Sequence, residues 1–409
     1  MPLALIRVSS VSILANPSPM KFLPFVLLAL TATAFAEDGF VPMFNGRDLT
    51  GWVNANCAPE TWGVKDGVVT CTGQPTGALR TERQYENFIM EAEWRHLTSG
   101  GNSGVFIWGT PIAAPGVPFL RGIEVQVLDH GYAEQYEKRT GKKSESFTTH
   151  GDVFPIHGAT MIPLGRSNGR RSFPSEDRSK PSPEWNHYRI VCQGGSIRLS
   201  VNGKEVSGGD DCVYRKGYLA LESEGAPVEF RNVRIKELPP TGATPEQTAP
   251  AAEGHRPLYT GVDLRGWKSD TLDRWQASDW RLVLKGGAAA KPLWTEAAFG
   301  DCEFIVDVKV SGKSATDAAL FLRGLEEPGT TVSLSELMPR GDTPAQEGIK
   351  WGAWNRVVVT VKGRAVTLKI NDREIRRQEL PADAPAKGPI GLLDIGVGVE
   401  FANLLVREL

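Results

Sequence analysis

Glu124, Gln126 and Asp129 combine side chains that can move protons with one that can hold a substrate oxygen. They lie in the stretch Arg121-Gly122-Ile123-Glu124-Val125-Gln126-Val127-Leu128-Asp129-His130. A carboxylate serves as base, acid or nucleophile according to its surroundings, and an amide donates to hydroxyl or carbonyl oxygen. Ile123, Val125 and Val127 alternate with Glu124 and Gln126, so the stretch is predicted to be a strand. Side chains two apart share a face, which places Glu124 and Gln126 together and the three aliphatics in a core. Strict alternation turns Asp129 to the other face, and a bulge near Leu128 would bring it back.

Other chemistry-bearing residues stand on either side of this strand. Asn102-Ser103-Gly104-Val105-Phe106 offers polar groups at the start of an apolar run, followed by Trp108, a candidate platform for a sugar ring. Thr149-His150-Gly151-Asp152-Val153-Phe154-Pro155-Ile156-His157 reads as a loop, the kind of segment that carries function at the mouth of a sandwich. The spacing of His150, Asp152 and His157 is not diagnostic of a metal site, and neither a metal nor a cofactor is assigned.

The elements that must position these residues are short strands. The chain has 409 residues, 44 glycines and 28 prolines, and shows no long amphipathic helix. Asp66-Gly67 and Asn202-Gly203 are hairpin signals between β-rich runs. With 46 basic and 48 acidic residues, the charge gives no reason to expect nucleic acid as a partner. Lys21, the apolar run Phe22 to Leu30 and Ala34-Phe35-Ala36 make residues 1–36 a signal peptide, with Met20 an alternative start. The apolar run is too short to span a bilayer, so a secreted or periplasmic protein with no transmembrane segment after cleavage is expected. Export permits disulfides; Cys57 with Cys71 and Cys192 with Cys212 are near enough in sequence to pair, and all five cysteines are equally readable as buried thiols.

The sequence also repeats. Phe44-Asn45-Gly46-Arg47-Asp48-Leu49-Thr50-Gly51-Trp52 returns as Tyr259-Thr260-Gly261-Val262-Asp263-Leu264-Arg265-Gly266-Trp267. Trp185-Asn186 returns as Trp354-Asn355, and Glu229-Phe230-Arg231-Asn232 as Glu400-Phe401-Ala402-Asn403. Three blocks in one order point to a tandem duplication: domains at 37–238 and 255–409, joined by a Pro/Ala/Thr linker at 239–254. Each is expected to be an all-β, antiparallel sandwich of jelly-roll type, the second a degenerate copy lacking the middle stretch with Glu124, Gln126 and Asp129.

The opening Phe44-Asn45-Gly46, the Asn102-Ser103-Gly104 block, Gly122 to Asp129, Trp185-Asn186 and Phe230-Arg231-Asn232-Val233 together resemble the 3-keto-disaccharide hydrolase family, which has a concanavalin-like sandwich. The resemblance implies cleavage of sugars oxidised at C3. A ketone at C3 acidifies the C2 proton; a base removes it, the C1 leaving group departs, and water then adds. On that basis Glu124 or Asp129 is the candidate base, and His150 or His130 the acid. Asn102, Ser103, Gln126, Trp108 and Arg121 are the candidate substrate-binding residues. Glu124-x-Gln126-x-x-Asp129 is also similar in spacing to the Glu-x-Asp-x-x-Glu of laminarinase-type glucanases, with an amide in place of the middle carboxylate. A retaining glucanase, a lectin-like carbohydrate-binding protein and a cell-surface scaffold are the alternatives.

Overall fold

The computed structural model describes residues 39–285, 290–311, 318–326, 330–334, 349, 351–394, 396 and 398–409. The expected signal peptide lies outside the described residues. Four antiparallel sheets make up nearly all of the regular structure, and one α-helix is present among the described residues, His130–Thr140.

Residues 41–237 form two facing sheets. The first has nine strands, with Phe88–His96 at its centre between Asn186–Gln193 and Val228–Glu237. The second has eight and runs Ser167–Asn168, Arg171–Ser172, Val153–Ile156, Gly122–Leu128, Asn102–Gly109, Tyr218–Ser223, Gly77–Thr81, Trp52–Asn54. Met90, Trp94, Ile190, Leu199 and Phe230 of the first sheet meet Val105, Ile107, Ile123, Val125, Val127 and Leu221 of the second in one core. This is the sandwich expected from strands that alternate inward apolar side chains. The hairpin turns are where the dipeptides put them: Asp66 and Gly67 have φ of 52° and 77°, and Asn202 and Gly203 of 46° and 88°. Positive φ at both central residues matches the turn to the strand twist.

Residues 256–408 form an eight-stranded and a five-stranded sheet around a second core. The strand orders correspond. Cys302–Val310 lies between Trp354–Lys362 and Val399–Glu408, as Phe88–His96 lies between Asn186–Gln193 and Val228–Glu237. In the smaller sheet Thr331–Ser333, Ala319–Phe321, Gly391–Leu393, Leu293–Thr295 and Trp267–Lys268 follow the order from Gly122–Leu128 to Trp52–Asn54.

Gly39–Leu409 form one compact unit in which the two sandwiches touch through a buried polar knot. Asp307 accepts from Arg356 Nε at 2.7 Å, Asn403 Nδ2 at 2.6 Å and the backbone N–H of Gly116 at 2.8 Å. Arg356 and Asn403 also donate to the carbonyls of Ala113 and Val117. Gly116, at φ 73°, lies where a Cβ would collide with the Trp354 side chain, so only glycine permits this approach. The 239–252 segment is also held: Thr241 N donates to Glu86, Arg215 bonds Gln247, and Gln84 bonds the carbonyl of Ala249.

All five cysteines are buried free thiols. The helix has the end signals of a helix without its stripe. Asp129 is the N-cap and Gly141, at φ 70°, the left-handed C-cap, while Gly131 is the only buried residue between them. Periodicity therefore gives no sign of it.

Candidate functional site

The site is built on the outer face of the second sheet. Every residue of Gly122–Leu128 is buried, so the strand is covered on both sides. Ile123, Val125 and Val127 enter the core, which turns Glu124 and Gln126 away from it. In the neighbouring strand Gly104 is opposite Gln126 and Phe106 opposite Glu124. On the far side of that strand lies Tyr218–Ser223, whose Leu219 and Leu221 are core residues. Alternation turns Glu222, and Glu224 just beyond the strand, onto the face of Glu124.

Gly104 explains how two of the three carboxyls fit there. A Cβ at this position would lie 2.9 Å from Glu222 Oε2 and 3.1 Å from Glu124 Oε1, so both reach the space that glycine leaves open. Asn102 Nδ2 donates to Glu224 Oε2, and Gln126 Nε2 donates to Asn102 Oδ1 at 2.9 Å. The relay Gln126–Asn102–Glu224 fixes one carboxyl by two amides. Glu222 Oε2 is buried with no hydrogen-bond partner among the described residues.

Burial and mutual repulsion make these acids reluctant to ionise. Burial, then the neighbouring Glu224 charge, push Glu124 up to about 8. Burial pushes Glu224 up to about 7, against the donated amide of Asn102. Glu222 is pushed well above the ordinary carboxylate range by burial and then by Glu124. Arg171 is the cation that lowers both Glu124 and Glu224. Its guanidinium lies 3.4 Å from the Phe154 ring centroid and bonds Asp152 at 3.1 Å. The face thus holds one carboxyl that titrates near neutrality and two that titrate higher, beside a fixed positive charge, an arrangement suited to proton transfer at a carbon next to a carbonyl.

The roof over this face is apolar. Leu120 clusters with Phe106, Ala78 and Ala220, and Phe119 packs against them. Asn56 Nδ2 donates to Pro118 O at 2.8 Å. The roof belongs to the 110–121 loop, whose tip enters the knot with Asp307, Arg356 and Asn403.

The other expected residues are placed elsewhere. The pairing of Asn102–Gly109 with Gly122–Leu128 keeps its register through Leu128, with no bulge. Asp129 accepts the backbone N–H groups of Gly100 at 2.7 Å, Ser182 at 2.7 Å and Gly131 at 2.9 Å. Burial opposes its charge, but the three donors outweigh it and hold Asp129 below its ordinary value. Its carboxylate is occupied in capping the helix. Ser103 points inward and donates to Glu222 O. Trp108 is fully buried, donates to Glu86 O and packs edge-on to Phe88, inside the core. Arg121 lies over the Tyr214 ring and lines a cleft of about 670 Å³ between the sandwiches. His157 lines the same cleft and stacks on Phe119.

His150 Nδ1 donates to Leu128 O, and its ring stands edge-on to Trp94 and parallel to His130. None of these partners belongs to the carboxylate face. Among the described residues, two groups have ligand atoms close enough to hold a metal: His130, His150 and Asp177; and Glu253, His255 and Glu303. In the second, Arg407 already pairs with both glutamates.

The residues that sequence reasoning passes over are Glu222, Glu224 and Arg171. The signal for the first two is present in Leu219-Ala220-Leu221-Glu222-Ser223-Glu224: inward leucines alternating with outward alanine and glutamates. Arg171 reads from its neighbours as part of a solvated basic loop, and only the fold brings it beside Glu124.

Residues 39–236 match the family model described as the 3-keto-alpha-glucoside-1,2-lyase-like domain. A 3-keto-disaccharide hydrolase of Bacteroides thetaiotaomicron is 22% identical over 259 residues, covering 49% of this chain and 79% of that protein. Among solved structures, a candidate glycosyl hydrolase of Parabacteroides distasonis is 24% identical, with a TM-score of 0.40 over 49% of this chain and 94% of the other. A carbohydrate-binding module of Bacillus subtilis is 15% identical, with a TM-score of 0.34 over 48% and 100%. The family match and the curated relative thus both bear on the first sandwich, and together they support a glycoside-hydrolase-like role for it.

Proposed function

We propose that the protein is an exported enzyme that cleaves 3-keto glycosides by elimination and hydration, with the carboxylate face as its active site. The observation that carries this reading is the meeting of Glu124 and Glu222 over Gly104, with Glu224 held beside them by Asn102 and the Arg171 charge acting on Glu124 and Glu224. Glu224, the lowest of the three and oriented by Asn102, is the base for the C2 proton. The C2–H electron pair becomes the C2–C3 double bond of an enolate, and Arg171 faces the C3 oxygen that takes up the charge. Collapse of the enolate forms the C1–C2 double bond and expels the C1 oxygen. Glu124, protonated up to about pH 8, supplies the proton to that leaving group. Water then adds at C1, giving its proton to the Glu124 carboxylate, and the proton held by Glu224 returns to C2.

The family match to a lyase-like domain supports elimination over direct displacement. The residue pattern of 20–36 supports export. We take the second sandwich to be a copy that kept the frame and lost the site, a reading supported by the matching strand orders. Its role here is to hold the 110–121 loop as a roof over the active site.

The test is release of sugar from a 3-keto glucoside and from the unoxidised parent. Release from the keto form alone, lowered by ~100-fold or more in Glu224→Gln and in Glu124→Gln, is expected. Release from the parent sugar, or activity within a few-fold of the unmodified protein in both variants, would overturn the assignment.

A further inference from the structure

A second constellation stands at the far end of the same strand. His130 opens the helix, His150 lies in the loop before Val153, and Asp177 lies in the loop before Trp185. The two imidazoles are nearly parallel, 14° apart with centroids 5.0 Å from one another. One ligand atom from each of the three residues lies within 4.8 Å of the others.

The protonation pattern is set by the neighbours. A carbonyl oxygen only accepts, so the bond to Leu128 O fixes the proton of neutral His150 on Nδ1. Its lone pair is then on Nε2. That nitrogen is buried without a hydrogen-bond partner among the described residues, in a side chain only 2% exposed. His130 Nε2 lies 2.5 Å from Ser179 Oγ and 3.5 Å from Asp177 Oδ2. His130 and Asp177 are 29% and 56% exposed, which leaves the cluster open to solvent on one side.

We infer that His130, His150 and Asp177 form a binding site for a divalent transition metal of the zinc class. Two imidazole nitrogens and one carboxylate are the donor set such an ion takes, with a fourth position open to water or to Ser179. The bond from His150 Nδ1 to a backbone carbonyl is the outer contact that orients metal-bound histidines. Ligand atoms around zinc lie roughly 3–3.5 Å apart, a spacing already met between His130 and Asp177, and these two part-exposed side chains are the ones free to close on His150. The ion would tie the helix start and two loops to the end of Gly122–Leu128, where Asp129 already caps the helix and bonds Ser182. The site is distinct from the carboxylate face, and its role is to fix these segments.

The experiment is titration of the chelator-treated full chain with Zn²⁺ by calorimetry, and with Co²⁺ by visible absorption. One equivalent bound per chain is expected, with the intense visible bands of four-coordinate Co²⁺ and a rise in Tm on adding Zn²⁺. His130→Ala and Asp177→Asn, both at part-exposed positions, should weaken binding by tenfold or more with an unchanged circular dichroism spectrum. His255→Ala, at the other cluster, should leave it intact. Absence of saturable binding, or binding lost in His255→Ala and kept in His130→Ala and Asp177→Asn, would overturn the inference. Sugar cleavage enters none of these readouts, so the test stands apart from the active-site proposal.

Discussion

Replacing Glu124 with glutamine should stabilise the protein at alkaline pH while removing its activity. An unfolded glutamate releases its proton near 4.5, and the folded environment holds it to about 8. Between those values the unfolded chain gives up a proton that the folded chain keeps, so rising pH favours unfolding. Stability from this residue is fully present below 4.5 and is lost as pH climbs through 8. At ~1.4 kcal/mol per pH unit the ceiling is ~5 kcal/mol, with about 3 kcal/mol already lost at pH 7. A neutral amide does not titrate and is free of that cost. Groups that do not interact with Glu124 cancel in the comparison, and relief of Glu222 from the Glu124 charge acts in the same direction, so the stability difference between Glu124→Gln and the unmodified chain should widen by at least about 2–3 kcal/mol from pH 6 to pH 9. Urea unfolding of both proteins at the two pH values measures this. Parallel pH dependence would mean that Glu124 ionises normally, and the acid role assigned to it would fall with that result.

Three further perturbations probe the supports of the site. Asp129→Ala removes the acceptor of three backbone N–H groups and should cost at least ~2 kcal/mol by denaturant titration. Because Asp129 is held below its ordinary 3.8, that contribution is present above pH 3.8 and is lost on further acidification; a pH-independent deficit would contradict the capping account. Gly104→Ala puts a methyl group into the space shared by Glu124 and Glu222, and should lower keto-sugar turnover at least tenfold at an overpacking cost of ~1–3 kcal/mol. Unchanged turnover in a folded variant would show that the space is not used. Asp307→Ala strands the buried Arg356 guanidinium and should cost ~3–5 kcal/mol, with sensitivity to proteolysis appearing first in the 110–121 loop.

The division between what the sequence discloses and what it conceals follows from the range of the interactions. Alternation along Gly122–Leu128 and the turn dipeptides are local, so the strand, its inward face and the hairpins are legible in the chain itself. Glu222 is about a hundred residues from Glu124, and only the order of strands in the sheet sets them one strand apart across Gly104. Asp129 misleads because its spacing matches a catalytic pattern, while its oxygens answer to amides of Gly100, Gly131 and Ser182 that no periodicity reveals. His150 is expected as the acid of the same site, and its bond to Leu128 O sets it at the end of the strand instead.

The second sandwich shows what the frame requires without the chemistry. There Ala319 faces Ser333 and Leu393, and Phe321 faces Thr331, at the sheet positions that Gly104, Gln126, Glu222, Phe106 and Glu124 take in the first. Leucine, serine and threonine hold the same strand order without a buried charge. A sheet of this kind therefore closes more readily without the carboxyls, and each glutamate kept on the first sandwich opposes folding at neutral pH. Such groups persist where their strained protonation is used. The knot at Asp307 then has a physical purpose. It fastens the loop whose Leu120 packs on Phe106, the cross-strand neighbour of Glu124, and on the reading proposed above this packing helps to keep the carboxyls dry and their protonation raised. If so, Asp307→Ala should shift the alkaline limb of the activity–pH profile toward lower pH, measured on whatever folded fraction remains. An alkaline limb that stays in place would separate the knot from the chemistry and leave it a structural fastening alone.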